Sequence, residues 1–159
     1  MEHAAKVRTC LWFEKGGVEA ANEYVSLVPD SRIEGVRDNG QPDDPMIVEF
    51  ILAGAPMMIL TAGPHYELTP AASISVLTED QDETDRLWAA LTDKGGETGR
   101  CGWLVDRFGV SWQIVPERMP DLLASDDAGV VQRVSEAMMQ MGKIDIAALE
   151  AAAKEPAHG

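Results

Sequence analysis

Glu49, His65, Cys101 and Gln113 are the side chains with which this sequence could do chemistry, and the residues beside each say what kind. Glu49 interrupts an otherwise apolar run from Met46 to Ala53. A carboxylate half-buried in such a strand has the raised pKa a general base needs, whereas one on an exposed edge does not. His65 and Tyr66 stand side by side in the loop Gly63-Pro64-His65-Tyr66, an imidazole and a phenol suited to acid–base work if the loop closes over a site. Cys101 would be a nucleophile only beside a base, and its neighbours Glu97 and Arg100 do not make a Cys–His pair. With Cys10 it forms no CxxC spacing, so both read as buried free thiols. Gln113 lies in CGWLVDRFGVSWQIVP, residues 101 to 116, where its amide could polarise an oxygen and Trp103 could stack on an aromatic ligand or simply fill a core. Asp106 and Arg107 could hold an anion at the tip of that stretch, although a surface turn carries such charges without function.

These groups need elements to hold them. In residues 101–116, Trp103 and Val105 approach a turn at Asp106-Arg107-Phe108-Gly109, and Trp112 and Ile114 leave it on the face opposite Ser111, Gln113 and Val115. Period two around a Gly-closed turn is a β-hairpin, and Pro116 ends its ladder. Upstream, Lys6 to Glu14 alternates as a strand, Gly16-Gly17 break it, and Val18, Ala21, Val25 and Val28 recur at helical spacing. Ser31 to Arg37 reads as a short strand, residues 39–45 as a loop, and Met46 to Ala53 and Pro56 to Thr61 as strands about a Gly54-Ala55 turn. The order then repeats: a strand over Ala72 to Thr78, an acidic helix start at Glu79 to Asp82 before Leu87, Trp88 and Leu91, a short strand over Glu97 to Arg100, and the hairpin. Glu14 with Tyr24, and Glu79 with Trp88, mark the same places in the two copies, one residue different in spacing, as an internal duplication leaves them. The fold class expected is therefore α+β, one domain over residues 1–159 made of βαβββ modules at 6–62 and 71–116 and a helical tail at 117–159. In the tail, Asp126-Asp127 can cap a helix with a Val130, Val134, Met138, Met141 stripe ending near Gly142, and Asp145 can start a last helix from Ile146 to Lys154.

Composition narrows the function. The 159 residues carry a formal net charge of −14, which opposes binding to nucleic acid, whose affinity rests on Lys and Arg neutralising phosphates. An apolar run such as Met57 to Leu60 is far too short to span a bilayer, and the N-terminus lacks a secretory layout, so a cytoplasmic protein with no membrane partner is expected.

The stretches WFEKGGVEAANEYVSLVPDSRI, CGWLVDRFGVSWQIVP and VVQRVSEAMMQMGKIDIAALEAA, in that order along a paired βαβββ chain, resemble the PhnB-like branch of the vicinal oxygen chelate superfamily, which includes glyoxalase I, extradiol dioxygenases, fosfomycin-resistance enzymes and bleomycin-binding proteins. The resemblance implies U-shaped, mostly antiparallel sheets around a ligand cavity, with a homodimer as the working unit. The superfamily's metal enzymes take ligands from the first, fourth, fifth and eighth strands, positions that fall here on Thr9, Ile59, Ser73 and Gln113. An isoleucine with a Thr, Ser, Gln remainder offers neither charge nor imidazole, and His3, His65 and His158 lie in termini or loops, so no metal is expected. Ser75 and Ser111 share the carried-over concave phase with these residues, beside Leu11 and Met57, while Cys10, Ile74, Val76, Trp112 and Ile114 share the other. The branch also carries a ubiquinone-pathway methyltransferase label, but no G-x-G turn follows a parallel strand, and no cofactor is expected. The leading expectation is a metal-free protein that binds or sequesters a small organic molecule through Thr9, Ile59, Ser73, Ser75, Trp103 and Gln113. The alternatives are an enzyme on a small metabolite with Glu49 or His65 as base, and an architectural role in which the tail stripe covers a partner subunit.

Overall fold

A computed structural model describes residues 5–40 and 44–155; His3 and His158 lie outside them. The chain divides into two compact units, residues 1–68 and 69–159. The first runs β1 (Thr9–Phe13), α1 (Gly17–Leu27), β2 (Arg32–Arg37), β3 (Ile47–Leu52) and β4 (Ala55–Thr61). The second repeats this order with β5 (Ser73–Thr78), α2 (Gln81–Thr92), β6 (Glu97–Thr98), β7 (Trp103–Val105) and β8 (Ser111–Pro116), then adds α3 (Arg118–Leu123), α4 (Ala128–Met139) and α5 (Ile146–Lys154). Each unit holds one four-stranded mixed sheet, ordered β1-β4-β3-β2 and β5-β8-β7-β6. In both, the first strand pairs parallel with the last and the other junctions are antiparallel.

In the first unit α1 begins at Gly16, whose backbone is left-handed at φ 77° and whose N–H is met by the Asp44 carboxylate at 3.2 Å. Ala20, Ala21 and Tyr24 form its buried stripe. The helix lies so close to β4 that a Cβ on Gly17 would fall 2.7 Å from Ile59 Cγ2. Ile59 therefore points at α1, and the parallel register, Thr9 beside Met57 and Leu11 beside Ile59, puts Thr9, Leu11 and Met57 on that side too. This reverses the phase expected for the first module: the face turned away from α1 carries Cys10, Trp12, Met58 and Leu60. Strand alternation alone fixes which residues travel together, not which set faces the helix. The β3–β4 turn is also one residue earlier than expected, at Ala53 (φ 46°) and Gly54 (φ 84°), with Leu52 opposite Ala55. Two successive left-handed residues match the twist of the strands they join.

In the second unit the Asp80 side chain caps α2 by accepting from Glu83 N at 2.8 Å, and Thr78 and Thr84 hydroxyls meet at 2.6 Å, tying the end of β5 to the helix. Thr78 thus faces α2, and so do Ile74 and Val76 at period two, together with the buried Leu104, Trp112 and Ile114. Full burial of side chains of this size stabilises by about 1.5–3 kcal/mol each.

The tail packs on the second unit. Val134 of α4 is buried with Met119, Leu122, Ile144 and Leu149, and Val130, Met138 and Met141 pack against that cluster. The stripe expected to cover a partner subunit therefore packs on its own chain, chiefly on α5 and also on α3, a helix not anticipated because Pro120 reads as a breaker. Proline is tolerated there because it stands in the first turn, where its missing N–H has no intrahelical partner to lose. Gln81 bridges the tail in both directions, donating to Ile144 O at 3.0 Å and accepting from Ile146 N at 2.9 Å. Its amide, and then Lys143 at 2.9 Å, hold the Asp85 carboxyl below the usual carboxylate range. Among the described residues no helix is long and apolar enough to cross a membrane.

Candidate functional site

The expected site residues divide between the two units. Four of them, Ser73, Ser75, Trp103 and Gln113, share the face of the second sheet turned away from α2. β8 lies between β5 and β7, with Ser111 opposite Ser73, and Gln113 opposite Ser75 on one side and Trp103 on the other. Gln113 Nε2 donates to Ser73 Oγ at 2.9 Å, which fixes the amide and leaves its Oε1 and the Ser73 O–H available. Ser111 is 2% exposed, and its hydroxyl has no hydrogen-bond partner among the described residues. A buried hydroxyl in that state costs about 1–3 kcal/mol, so it has the most to gain from a partner brought to the face. Trp103 and Val105 are half-buried and supply apolar wall, while Val115, at the other end of the face, packs against the tail cluster.

Thr9 and Ile59 fall on the helix-facing side of the first sheet. Its other face holds a network instead: Arg8 pairs with Glu34, Arg37 reaches Glu49 at 2.8 Å, and Arg8 approaches Glu49 at 3.8 Å. Arg8 also donates to the carbonyls of Phe50 and Met57, each at 3.3 Å. Glu49 is thus held between two guanidinium groups, with Met58 opposite it on β4. His65 is exposed in the loop after β4, with its ring 6.4 Å from that of Trp12, while Tyr66 meets Trp12 edge-on at 4.9 Å. Trp12 Nε1 donates to Gly63 O at 2.9 Å, so the loop folds back on β1 as an aromatic cluster.

The cysteines depart from the expectation of burial: Cys10 is exposed and Cys101 partly so. Partial desolvation at the sheet nevertheless pushes the Cys10 thiol above its ordinary value of 9.0, a backbone hydrogen bond at Leu60 opposing it. A raised pKa means less thiolate at any given pH, so in the Cys101→Ser variant the rate of alkylation by iodoacetamide is expected to rise at higher pH than for a free small thiol. A midpoint at or below that of the small thiol would contradict this.

Asp106 is the residue whose role sequence reasoning missed. It is 4% exposed rather than at a surface tip. Its Oδ1 accepts from Phe108 N at 2.9 Å and Val110 N at 3.0 Å, and its Oδ2 from Trp112 Nε1 at 2.9 Å. The available signal was the Asp-x-x-Gly spacing itself, since an aspartate opening a turn bonds the backbone two residues on. Arg107 stacks on Phe108, 4.0 Å from the ring centroid.

No group of three His, Cys, Asp or Glu suited to a metal ion occurs among the described residues. The positions carried over from the superfamily's metal enzymes do not fit one either: Ser73 and Gln113 are neutral and bonded to each other, while Thr9 and Ile59 face α1. A cleft of about 490 Å³ elsewhere on the second unit is lined by Glu79, Asp80, Glu117, Asp145 and Glu150 among others. Asp80 and Asp145 there cap helices, and Glu150 pairs with Arg118.

Comparison with solved structures places this architecture. A FosX fosfomycin-resistance protein of Listeria monocytogenes superposes with TM-score 0.55 at 13% identity over 77% of this chain and 98% of its own. The PA1353 protein of Pseudomonas aeruginosa gives 0.59 at 21%, over 72% and 98%. The paired βαβββ units are those of the vicinal oxygen chelate superfamily. Within it, residues 5–115 match the family described as 3-demethylubiquinone-9 3-methyltransferase, and the chain belongs to that PhnB-like family. A PhnB protein of Bacillus cereus bearing the family's name is 29% identical, with TM-score 0.63 over 70% of this chain and 99% of its own. No functionally curated protein matches the sequence.

Proposed function

We propose that this PhnB-like protein binds a small organic molecule, without a metal ion, on the face of the second sheet bounded by Ser73, Ser75, Trp103 and Gln113. The observation that carries the reading is the Ser111 hydroxyl, buried without a partner beside the fixed Gln113–Ser73 pair. Polar groups placed among apolar walls are what orient a small ligand, and a family name alone does not supply an activity. The homodimer and cytoplasmic setting implied by the resemblance belong to the same proposal.

The test is saturation-transfer NMR on chelator-treated protein with a set of small aromatic amides, alcohols and acids. Binding in the absence of metal, lost in Gln113→Ala, is the expected result. Binding that appears only after zinc, nickel, manganese or iron is restored overturns the metal-free reading.

A further inference from the structure

The charge of the Ser73–Gln113 face defines the class of molecule it takes. Its positions run Ser73, Ser75 and Leu77 on β5, Ser111, Gln113 and Val115 on β8, Trp103 and Val105 on β7, and Glu97 on β6. No lysine, arginine or histidine stands among them. The one carboxylate, Glu97, is exposed on the strand at the opposite edge of the sheet from Ser73. What is offered near Gln113 is neutral: the amide oxygen of Gln113, the hydroxyl proton of Ser73, and the buried hydroxyl of Ser111.

An anion brought here would exchange its hydration for hydroxyl dipoles with no counter-charge, and an isolated charge moved out of water is not repaid by neutral hydrogen bonds. Among these positions a cation would find a countercharge only at Glu97, across the sheet. A neutral carbonyl or hydroxyl loses far less on leaving water, and both donors and acceptors await it. The half-buried Trp103 and Val105 beside it suit a planar apolar body attached to that group.

We propose that the ligand of this face is an uncharged molecule in which a carbonyl, amide or hydroxyl group adjoins a planar ring, and that carboxylates and phosphonates are excluded. This inference rests on the binding reading above, and the experiment separates the two.

The probes are benzamide, benzoate and benzamidinium, which share a ring and nearly a shape while differing in charge. Each is titrated into the wild-type protein at constant ionic strength, with the Gln113 side-chain amide and the Ser111 and Trp103 backbone amides followed by ¹H–¹⁵N NMR. Benzamide is expected to shift these signals with a Kd at least ten-fold lower than either charged probe. Benzoate or benzamidinium shifting the same signals as strongly as benzamide overturns the charge class and leaves small-molecule binding intact. Failure of all three to move these signals overturns the assignment of this face as a binding site, and the inference with it.

Discussion

Asp106→Ala is expected to lower the stability of the second unit by about 3–5 kcal/mol, because it removes the acceptor of three N–H donors at once, two of them in buried hydrogen bonds. The carboxylate is the centre of the β7–β8 hairpin: it holds two backbone amides of the turn with one oxygen and the Trp112 indole with the other. Trp112 is fully buried, so its N–H cannot turn to water when the partner is lost. Asp106→Asn keeps one acceptor oxygen and is expected to lose about half as much. Urea unfolding followed by near-ultraviolet circular dichroism checks both variants. A loss below about 1 kcal/mol for the alanine variant would show that the carboxylate is not what holds the hairpin.

Gly102→Ala is expected to cost about 3–4 kcal/mol, while Gly109→Ala costs about 1 kcal/mol, although both glycines are left-handed. Their φ values are 84° and 90°, so the backbone penalty is nearly shared. The difference is space. A Cβ at Gly102 would stand 2.7 Å from the Ile114 carbonyl oxygen, part of a central strand that cannot retreat, whereas nothing lies within 4 Å of one at Gly109. Gly102 also donates to Gly142 O and accepts from Ile114 N, each at 2.8 Å, so a shift there disturbs sheet and tail together. Parallel urea titrations of the two variants isolate the close approach from the dihedral strain. Equal losses would assign the whole effect to φ.

The legible parts of this fold were those where one local pattern has one outcome. The repeated strand–helix–hairpin order, the acidic start of α2, the Asp127 cap, the helix start at Asp145 and the 101–116 hairpin follow from spacing and turn chemistry, and the structure has them. The second module's phase was readable because one strand phase carries Ser73, Ser75, Ser111 and Gln113 and the other Ile74, Val76, Trp112 and Ile114, so the wholly apolar set belongs on the helix side. In the first module both strand phases are apolar: Leu11 and Ile59 compete with Trp12 and Leu60, and Gly17 decides between them only once α1 is seated on β4. The pairing of Glu49 with Arg8 and Arg37 joins positions far apart in the chain, which no local pattern contains. Asp106 was misplaced for another reason. Charge at a turn is ordinarily solvated, and only the burial of the indole opposite makes this one internal.

The bulge between Ile33 and Gly35 and the brevity of β6 bear on how either sheet can grow. β2 presents a ladder broken by that bulge and lined by Arg32, Glu34 and Arg37, and β6 offers only two residues of edge. Both discourage another chain from adding a strand. β1 and β5, at the other ends of their sheets, are five and six residues long, and their registers show no such break. The protection against edge-to-edge aggregation is therefore lopsided: it guards β2 and β6, and it directs any strand addition to the sides where each parallel pair closes its sheet.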